Sequence, residues 1–324
     1  MKLPAWYPVL VVPLLALAAL PAMAFPTWIT LTVAGAAMGV MLFLMASGLT
    51  LVFGLMDVLN FAHGAFITLG AFVAVSMLSA LAGAAEAASW GANIAALGAA
   101  VAAGAMACGV VGWVFERVIV RRVYGSHLRQ ILITVGGLII AQQLILAAWG
   151  AAPLHVGKPL LLRGSLGFMG AAIETYRLAA LAVGLALFVL MLLVLNRTRV
   201  GLLVRAGVEN REMVEALGFR IRRLFVGVFV AGAALAGIGG AMWAVYQETV
   251  TVAIGAEMTI LVFIVVIIGG LGSVGGCFAG AVLVGLAANY VGFLAPRLAL
   301  GTNIALMVAI LLWRPRGLLP VSKS

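Results

Sequence analysis

Residues 28–53 read WITLTVAGAAMGVMLFLMASGLTLVF, an apolar run without one charged side chain. A helix needs about 20 apolar residues to cross the hydrocarbon core of a bilayer, so this run predicts a membrane span. The whole chain of 324 residues has the same character, because 65% of its residues are hydrophobic and only 9% are charged. Soluble domains carry about 25% charged residues, and disordered chains are far less apolar. The composition therefore predicts a polytopic helical membrane protein.

Further apolar runs fill most of the remaining sequence. Backbone polar groups in lipid must be paired within the protein, which favours helices. We expect an all-α transmembrane bundle of eight to ten spans with glycine-interrupted helices, forming a single domain over residues 1–324. The candidate spans are 7–24, 28–53, 61–83, 92–115, 130–149, 177–196, 224–246, 258–271, 277–295 and 300–313. The first could be a signal peptide ending at Ala22-Met23-Ala24, although we favour a retained helix.

The positive charge is concentrated in short stretches between or after the apolar runs. The net charge is +10, and most arginines lie in segments 117–129, 197–223 and 314–323. The number of predicted spans between them places all three segments on the same side of the membrane. Short basic loops are typical of the cytoplasmic side. We therefore expect a cytoplasmic C-terminus, with residues 150–176 and 247–256 on the opposite side. The basic residues are confined to these short segments and form no surface in which they alternate with aromatic residues. This argues against nucleic-acid binding.

The first polar cluster lies between two apolar runs at residues 48–64. It contains Asp57, Asn60 and His63 at intervals of three residues, followed by Gly64. On a continuous helix these three side chains would share one face. Two interpretations remain open. The segment is either a polar turn at the cytoplasmic surface or a broken helix whose polar groups line a transport path, since ionisable groups at membrane depth are functional candidates.

The second polar cluster, Ile268 to Cys277, is rich in glycine. Gly270, Gly272 and Ser273 are candidates for a second interruption on the pathway. Close helix packing through Gly272, Gly276 and Gly280 is the alternative, and the two interpretations are compatible. No GxxxxGK[ST] sequence occurs, so the chain lacks a P-loop for ATP. Interrupted segments at corresponding places in two halves point to a transporter's binding site, and an internal repeat is a further hypothesis.

The longest basic segment, residues 197–223, also carries acidic residues. Glu209, Glu212 and Glu215 recur at intervals of three, before Ala216 and the helix-stopping Gly218. A short charged helix of this kind is either part of a solvated loop or a docking element for a cytoplasmic partner.

Neither catalysis nor a bound cofactor is indicated. The three histidines fall in different compartments by the span count, and Cys108 and Cys277 have no ligand-spaced neighbours, so we expect neither a metal site nor a cofactor. A chain of buried carboxylates, typical of proton-driven carriers, is absent. Because the sequence also lacks a nucleotide site, the energy for transport must come from elsewhere.

Four stretches carry a family resemblance. They are ASGLTLVFGLMDVLNFAHGAFITLGAF (46–72), RRVYGSHLRQILITVGGLIIAQQLILAAWG (121–150), RTRVGLLVRAGVENREMVEALGFRIRRLFVGVFVAGAALAGIGGAM (197–242) and GGLGSVGG (269–276). Together they resemble branched-chain amino acid ABC transporter permeases, specifically the shorter of the two permease subunits.

The resemblance implies an inner-membrane importer subunit that is not itself an enzyme. Its protein partners would be a homologous second permease, two cytoplasmic ATPase subunits and a periplasmic substrate-binding protein. The chain itself would be embedded in the lipid bilayer. Segment 209–223 would dock in an ATPase groove as a coupling helix. Related permeases carry urea, short amides or aromatic acids, and a self-sufficient secondary carrier is a less favoured alternative.

Overall fold

Long apolar helices make up nearly all of the protein. The computed structural model describes residues 7–124, 126–209 and 211–320, which contain thirteen α-helices and short 3₁₀ turns. The helices are α1 (Val11–Ala19), α2 (Phe25–Met56), α3 (His63–Ala80), α4 (Ala82–Ala85), α5 (Trp90–Val118), α6 (His127–Trp149), α7 (Thr175–Arg197), α8 (Arg199–Glu209), α9 (Arg211–Ala216), α10 (Ile221–Gln247), α11 (Ile254–Gly269), α12 (Val274–Leu294) and α13 (Ala299–Trp313).

Seven helices among the described residues are long and apolar enough to cross a membrane: α2, α3, α5, α6, α7, α10 and α12. Three shorter apolar helices, Tyr7–Ala22, Ile254–Gly269 and Gly301–Trp313, fall on the three remaining predicted spans. The prediction of a polytopic helical membrane protein is therefore confirmed. The connections add four strands that the all-α prediction did not include: β1 (Leu154–His155), β2 (Ser165–Phe168), β3 (Ala171–Glu174) and β4 (Thr249–Val250).

The core of the bundle surrounds α2. This helix packs against α7, α10, α11 and α12, and its middle, from Val40 to Thr50, is buried. By contrast, α5, α6 and α7 present rows of exposed apolar side chains such as Ile94, Leu132 and Leu190. An apolar outer surface of this kind is what lipid or another membrane subunit would cover.

Glycines allow the core helices to approach backbone to backbone. A Cβ atom added to Gly48 of α2 would overlap the carbonyl of Gly232 in α10, and one added to Gly240 would overlap the carbonyl of Ile67 in α3. Because lipid is as apolar as leucine, membrane helices associate through such close packing rather than through hydrophobic burial. The abundant glycines thus determine which helices meet.

The two ends of the bundle differ in charge. At one end, here called the basic end, residues 117–124, 197–205, 219–223 and 314–320 lie together, and the three basic segments share a face as predicted. At the other, here called the strand end, β1 pairs antiparallel with β4, and β2 pairs with β3. Successive apolar helices alternate in direction between these ends, so residue 320 lies at the basic end.

A cluster of ion pairs joins the connecting segments at the strand end. Lys158 is buried and contacts Glu174, while its Nζ lies 2.6 Å from Glu248, and Arg177 donates to Glu174 at 3.0 Å. Burial acts to lower the pKa of Lys158, but the hydrogen bonds and charges of both glutamates outweigh it and raise this pKa above 10.5. The cluster links the loop before α7 to the end of α10.

Replacing Lys158 with methionine should lower the free energy of unfolding by about 1–2 kcal/mol, because Glu174 and Glu248 lose a charged donor. The raised pKa means that this contribution is complete below pH 10.5 and is lost as the pH rises through the pKa of the folded protein. Thermal unfolding in detergent from neutral to alkaline pH would measure both effects. Lys158→Arg is the matched control, since arginine stays charged throughout. Equal unfolding temperatures for wild type and Lys158→Met at every pH would contradict this role.

Candidate functional site

The first polar cluster is a turn rather than a continuous helix. Helix α2 ends at Met56, and Asp57 adopts a left-handed conformation with φ +52° while its N–H donates to the carbonyl of Phe53. Residues 57–62 are not helical, and α3 begins at His63. The prediction that Asp57, Asn60 and His63 share one helical face is therefore wrong, because the left-handed residue terminates the helix before the repeat begins.

The side chains of this turn have different surroundings. Asp57 is exposed, and its carboxylate lies 3.7 Å from the imidazole of His127. Asn60 is buried, and its Oδ1 accepts a hydrogen bond of 3.1 Å from the N–H of Ala62. His63 is also buried, and its Nε2–H donates to the carbonyl of Met45 at 2.7 Å. In these contacts, Asn60 and His63 hold the turn and join α3 to α2.

Two substitutions at Asp57 distinguish the role of its left-handed backbone from the role of its carboxylate. Asp57→Gly should leave the free energy of unfolding nearly unchanged, because glycine accepts φ +52° and an exposed ion pair contributes below about 1 kcal/mol. Asp57→Val should cost about 1–2 kcal/mol through left-handed strain. Thermal unfolding of both variants tests this, and equal stability would contradict it. Loss of uptake in the stable Asp57→Gly variant would show that the carboxylate acts in transport.

The second polar cluster is the turn between α11 and α12. Gly270 and Gly272 have φ +100° and +80°, and the Oγ of Ser273 caps α12 by accepting from the N–H of Gly276 at 3.1 Å. Glycines 276 and 280 lie against the backbone of α11, which matches the packing interpretation. The C-terminal segment closes over this turn, since the N–H of Leu318 donates to the carbonyl of Ile268.

The two clusters meet at the basic end. A Cβ atom on Gly54 would lie 2.9 Å from the Cα of Gly272, so the end of α2 touches the turn before α12. Beside this contact is a cavity of about 270 Å³, whose polar lining residues are Thr50, Asn196, Arg205 and Ser273. Of the predicted pathway residues, only Gly272 and Ser273 line it. Asp57, Asn60, His63, Gly64 and Gly270 do not, and Gly64 instead packs against Gly255 of α11.

Segment 197–223 contains the helical residues of α8 and α9, and residue 210 between them lies outside the described residues. Glu209 is the last described residue of α8, whereas Glu212 and Glu215 belong to α9. The prediction that the three glutamates share a helical face stays a prediction, because residue 210 and the side chain of Glu209 lie outside the described residues. Gly218 does stop α9, with φ +84° and its N–H donating to the carbonyl of Glu215 at 2.9 Å. A left-handed residue after the last turn is the usual glycine helix stop.

The surface of α9 combines acidic and apolar side chains. Glu212, Glu215 and Ala216 are exposed, and exposed apolar residues stand beside them: Met213, Leu217 and Phe219. Val214 is buried and fixes α9 to the bundle. A projecting tip of large apolar side chains rimmed by charge is typical of a protein-binding surface.

Sequence reasoning missed a buried acid at the end of α5. Glu116 is fully buried, one of its oxygens accepts from the hydroxyl of Tyr124 at 2.5 Å, and the other has no hydrogen-bond partner within the described chain. The one available signal was a glutamate directly after the apolar run 92–115. Within the ranges that the structure describes, no three His, Cys, Asp or Glu residues converge as metal ligands.

Comparison with known proteins gives this geometry its context. Residues 31–312 match the family described as the permease component of branched-chain amino acid transport systems. The chain belongs to this family. The permease is 28% identical to the high-affinity branched-chain amino acid transport permease protein LivH of Salmonella typhimurium, over 88% of this chain and 93% of the relative.

Two further relatives have similar identities to this chain. The permease protein BraD of Pseudomonas aeruginosa is 27% identical over 85% of this chain and 90% of its own length. A probable LivH protein of Methanocaldococcus jannaschii is 25% identical over 86% of this chain and 88% of its own length. The permease is therefore a multi-pass membrane protein and a transport component, and the resemblance found in the four stretches is confirmed.

Proposed function

We propose that this permease forms half of the translocation pathway of an ABC importer for branched-chain amino acids. The observation that carries the proposal is the family match over residues 31–312, which includes both polar turns and the α8–α9 segment. The relatives are named as high-affinity branched-chain amino acid permeases, which supports this class of solute.

The basic end is assigned to the cytoplasm of a bacterial inner membrane, because short arginine-rich connections favour that side. Helix α9 then faces the cytoplasm, and residue 320 lies on the same side. We assign ATPase docking to the exposed surface of α9, including Glu212, Glu215 and Ala216, with Gly218 setting the angle at which α9 meets α10. Glu209, at the end of α8, belongs to the same coupling loop within residues 197–223.

The mechanism requires no covalent chemistry in this chain. A cavity that opens alternately to each side needs an energy source that distinguishes the two states, and ATP supplies that difference through two partner ATPases. Docked ATPases would move α9, and Val214 would pass that motion to the bundle because it is buried at the base of α9. A second permease would complete the pathway near the contact of Gly54 with Gly272, and a periplasmic protein would deliver the solute.

Purification of the tagged chain from its native membranes in mild detergent tests the composition. Recovery of two ATPases and a homologous permease is the expected result. Uptake by the reconstituted complex should then favour leucine, isoleucine or valine. Uptake of urea, acetamide or phenylalanine instead would overturn the solute assignment while leaving the importer class intact. A chain that is recovered alone and transports with an ion gradient would overturn the importer class.

A further inference from the structure

Five arginines converge on one cavity at the basic end. The cavity has a volume of about 490 Å³. Arg117 and Arg121 reach it from the end of α5 and the turn that follows, while Arg220, Arg222 and Arg223 reach it from the start of α10. Two segments a hundred residues apart thus bring arginines to the same cavity, which a signal for membrane orientation alone does not require.

Acidic groups compensate only part of this charge. Among the described residues that line the cavity, Glu215 is the one carboxylate, and Glu116 lies behind Tyr124, to which it is hydrogen-bonded. In the part of the chain that the structure describes, no ion pair within 4 Å involves any of the five arginines. Because arginine stays charged at any physiological pH, the cavity favours an anion with several acceptor oxygens, such as a phosphate group.

Arg117 connects the cavity to the outer surface of α5. Trp113 is exposed one helical turn before Arg117, and the guanidinium of Arg117 lies 4.9 Å from the centre of its ring. Val110 and Val114 are exposed on the same helix. Tryptophan is enriched where the hydrocarbon core of a membrane meets the headgroups, so Trp113 marks that boundary beside the cavity.

We propose that this cavity binds the phosphate headgroup of an anionic phospholipid, whose acyl chains lie along the exposed apolar surface of α5. Basic pockets between membrane helices accept such headgroups. A protein partner fits less well, because the exposed apolar residues suited to it, Met213 and Leu217, project from α9, whereas Trp113 and Val114 lie on a membrane helix. The bound lipid would join α5 to the start of α10, next to the end of α9.

Native mass spectrometry of the permease complex in detergent tests this site, with phosphatidylglycerol and cardiolipin as the anionic probes and phosphatidylcholine as the neutral one. The wild-type complex should retain the anionic lipids selectively. The double variant Arg117→Gln/Arg121→Gln should weaken retention roughly fivefold for each arginine, or roughly 25-fold together. The matched control is Arg197→Gln/Arg199→Gln, which removes the same charge at the same end but outside the cavity. It should retain lipid like the wild type.

Further arms of the experiment identify the occupant. The double lysine variant, Arg117→Lys/Arg121→Lys, should retain most of the lipid because it keeps both positive charges. If the glutamine variant does not assemble, the lysine variant replaces it as the test of the site. Equal lipid retention in the glutamine and control variants would overturn the site. Inorganic phosphate that displaces the lipid at equal concentration would show an anion site without a lipid component. Unchanged lipid with weakened ATPase co-purification would show that the cavity docks protein. None of these outcomes depends on which solute the importer carries.

Discussion

Uptake by the reconstituted importer should fall roughly 5- to 150-fold when Gly218 is replaced by proline, the range that corresponds to a typical coupling free energy between sites. Gly218 has φ +84°, which proline cannot adopt, and its N–H donates to the carbonyl of Glu215, which proline cannot do. The end of α9 must therefore change direction. No side chain would clash, because a Cβ on Gly218 has no neighbour within 4 Å.

Membrane insertion and thermal stability of this variant should stay close to those of the wild type, since Val214 is the one buried side chain among the described side chains of α9. The informative measurement is uptake per ATP hydrolysed, with ATPase binding assayed in parallel. Gly227→Ala is a suitable control, because Gly227 is exposed nearby on α10 with negative φ and open space around it. Wild-type uptake by Gly218→Pro would refute the assignment of coupling to α9.

Gly240→Ala should destabilise the permease by about 3 kcal/mol, the upper end of the usual cost of overpacking. The added methyl group would overlap the carbonyl of Ile67, which belongs to the backbone of α3 and cannot rotate away. Helices α3 and α10 would have to separate, although both lie in the core. Thermal unfolding in detergent measures the loss.

The control is a glycine-to-alanine substitution at another position of α10. Gly227→Ala adds a methyl group to open space, so the change should be neutral or stabilising by up to about 1 kcal/mol through helix propensity. Similar unfolding temperatures for the two variants would mean that backbone contact at Gly240 does not hold α10 against α3.

Much of the fold could be predicted because an apolar run longer than 20 residues has few alternatives in lipid. The predicted span 28–53 became Phe25–Met56, and 224–246 became Ile221–Gln247. Charge placement predicted which helix ends lie together for a similar reason. Arginine is costly at membrane depth, so basic segments must emerge from the bilayer.

The candidate site was less predictable, because its geometry depends on single backbone angles and distant contacts. A spacing of three indicates a shared face only where the helix continues, and left-handed Asp57 ends α2 first. Glycine spacing predicted close packing but not the partner, so the contact of Gly54 with Gly272 came from the structure. The cluster of Lys158 with Glu174 and Glu248 joins residues far apart in sequence and leaves no local pattern.

We propose that this chain is a gate moved by ATPase partners. The most direct test is leucine uptake into proteoliposomes that hold the permease alone or the complete complex, each with and without ATP. Accumulation against a gradient should require the complete complex together with ATP. Uphill leucine accumulation by the permease alone, without any ATPase, would contradict the claim.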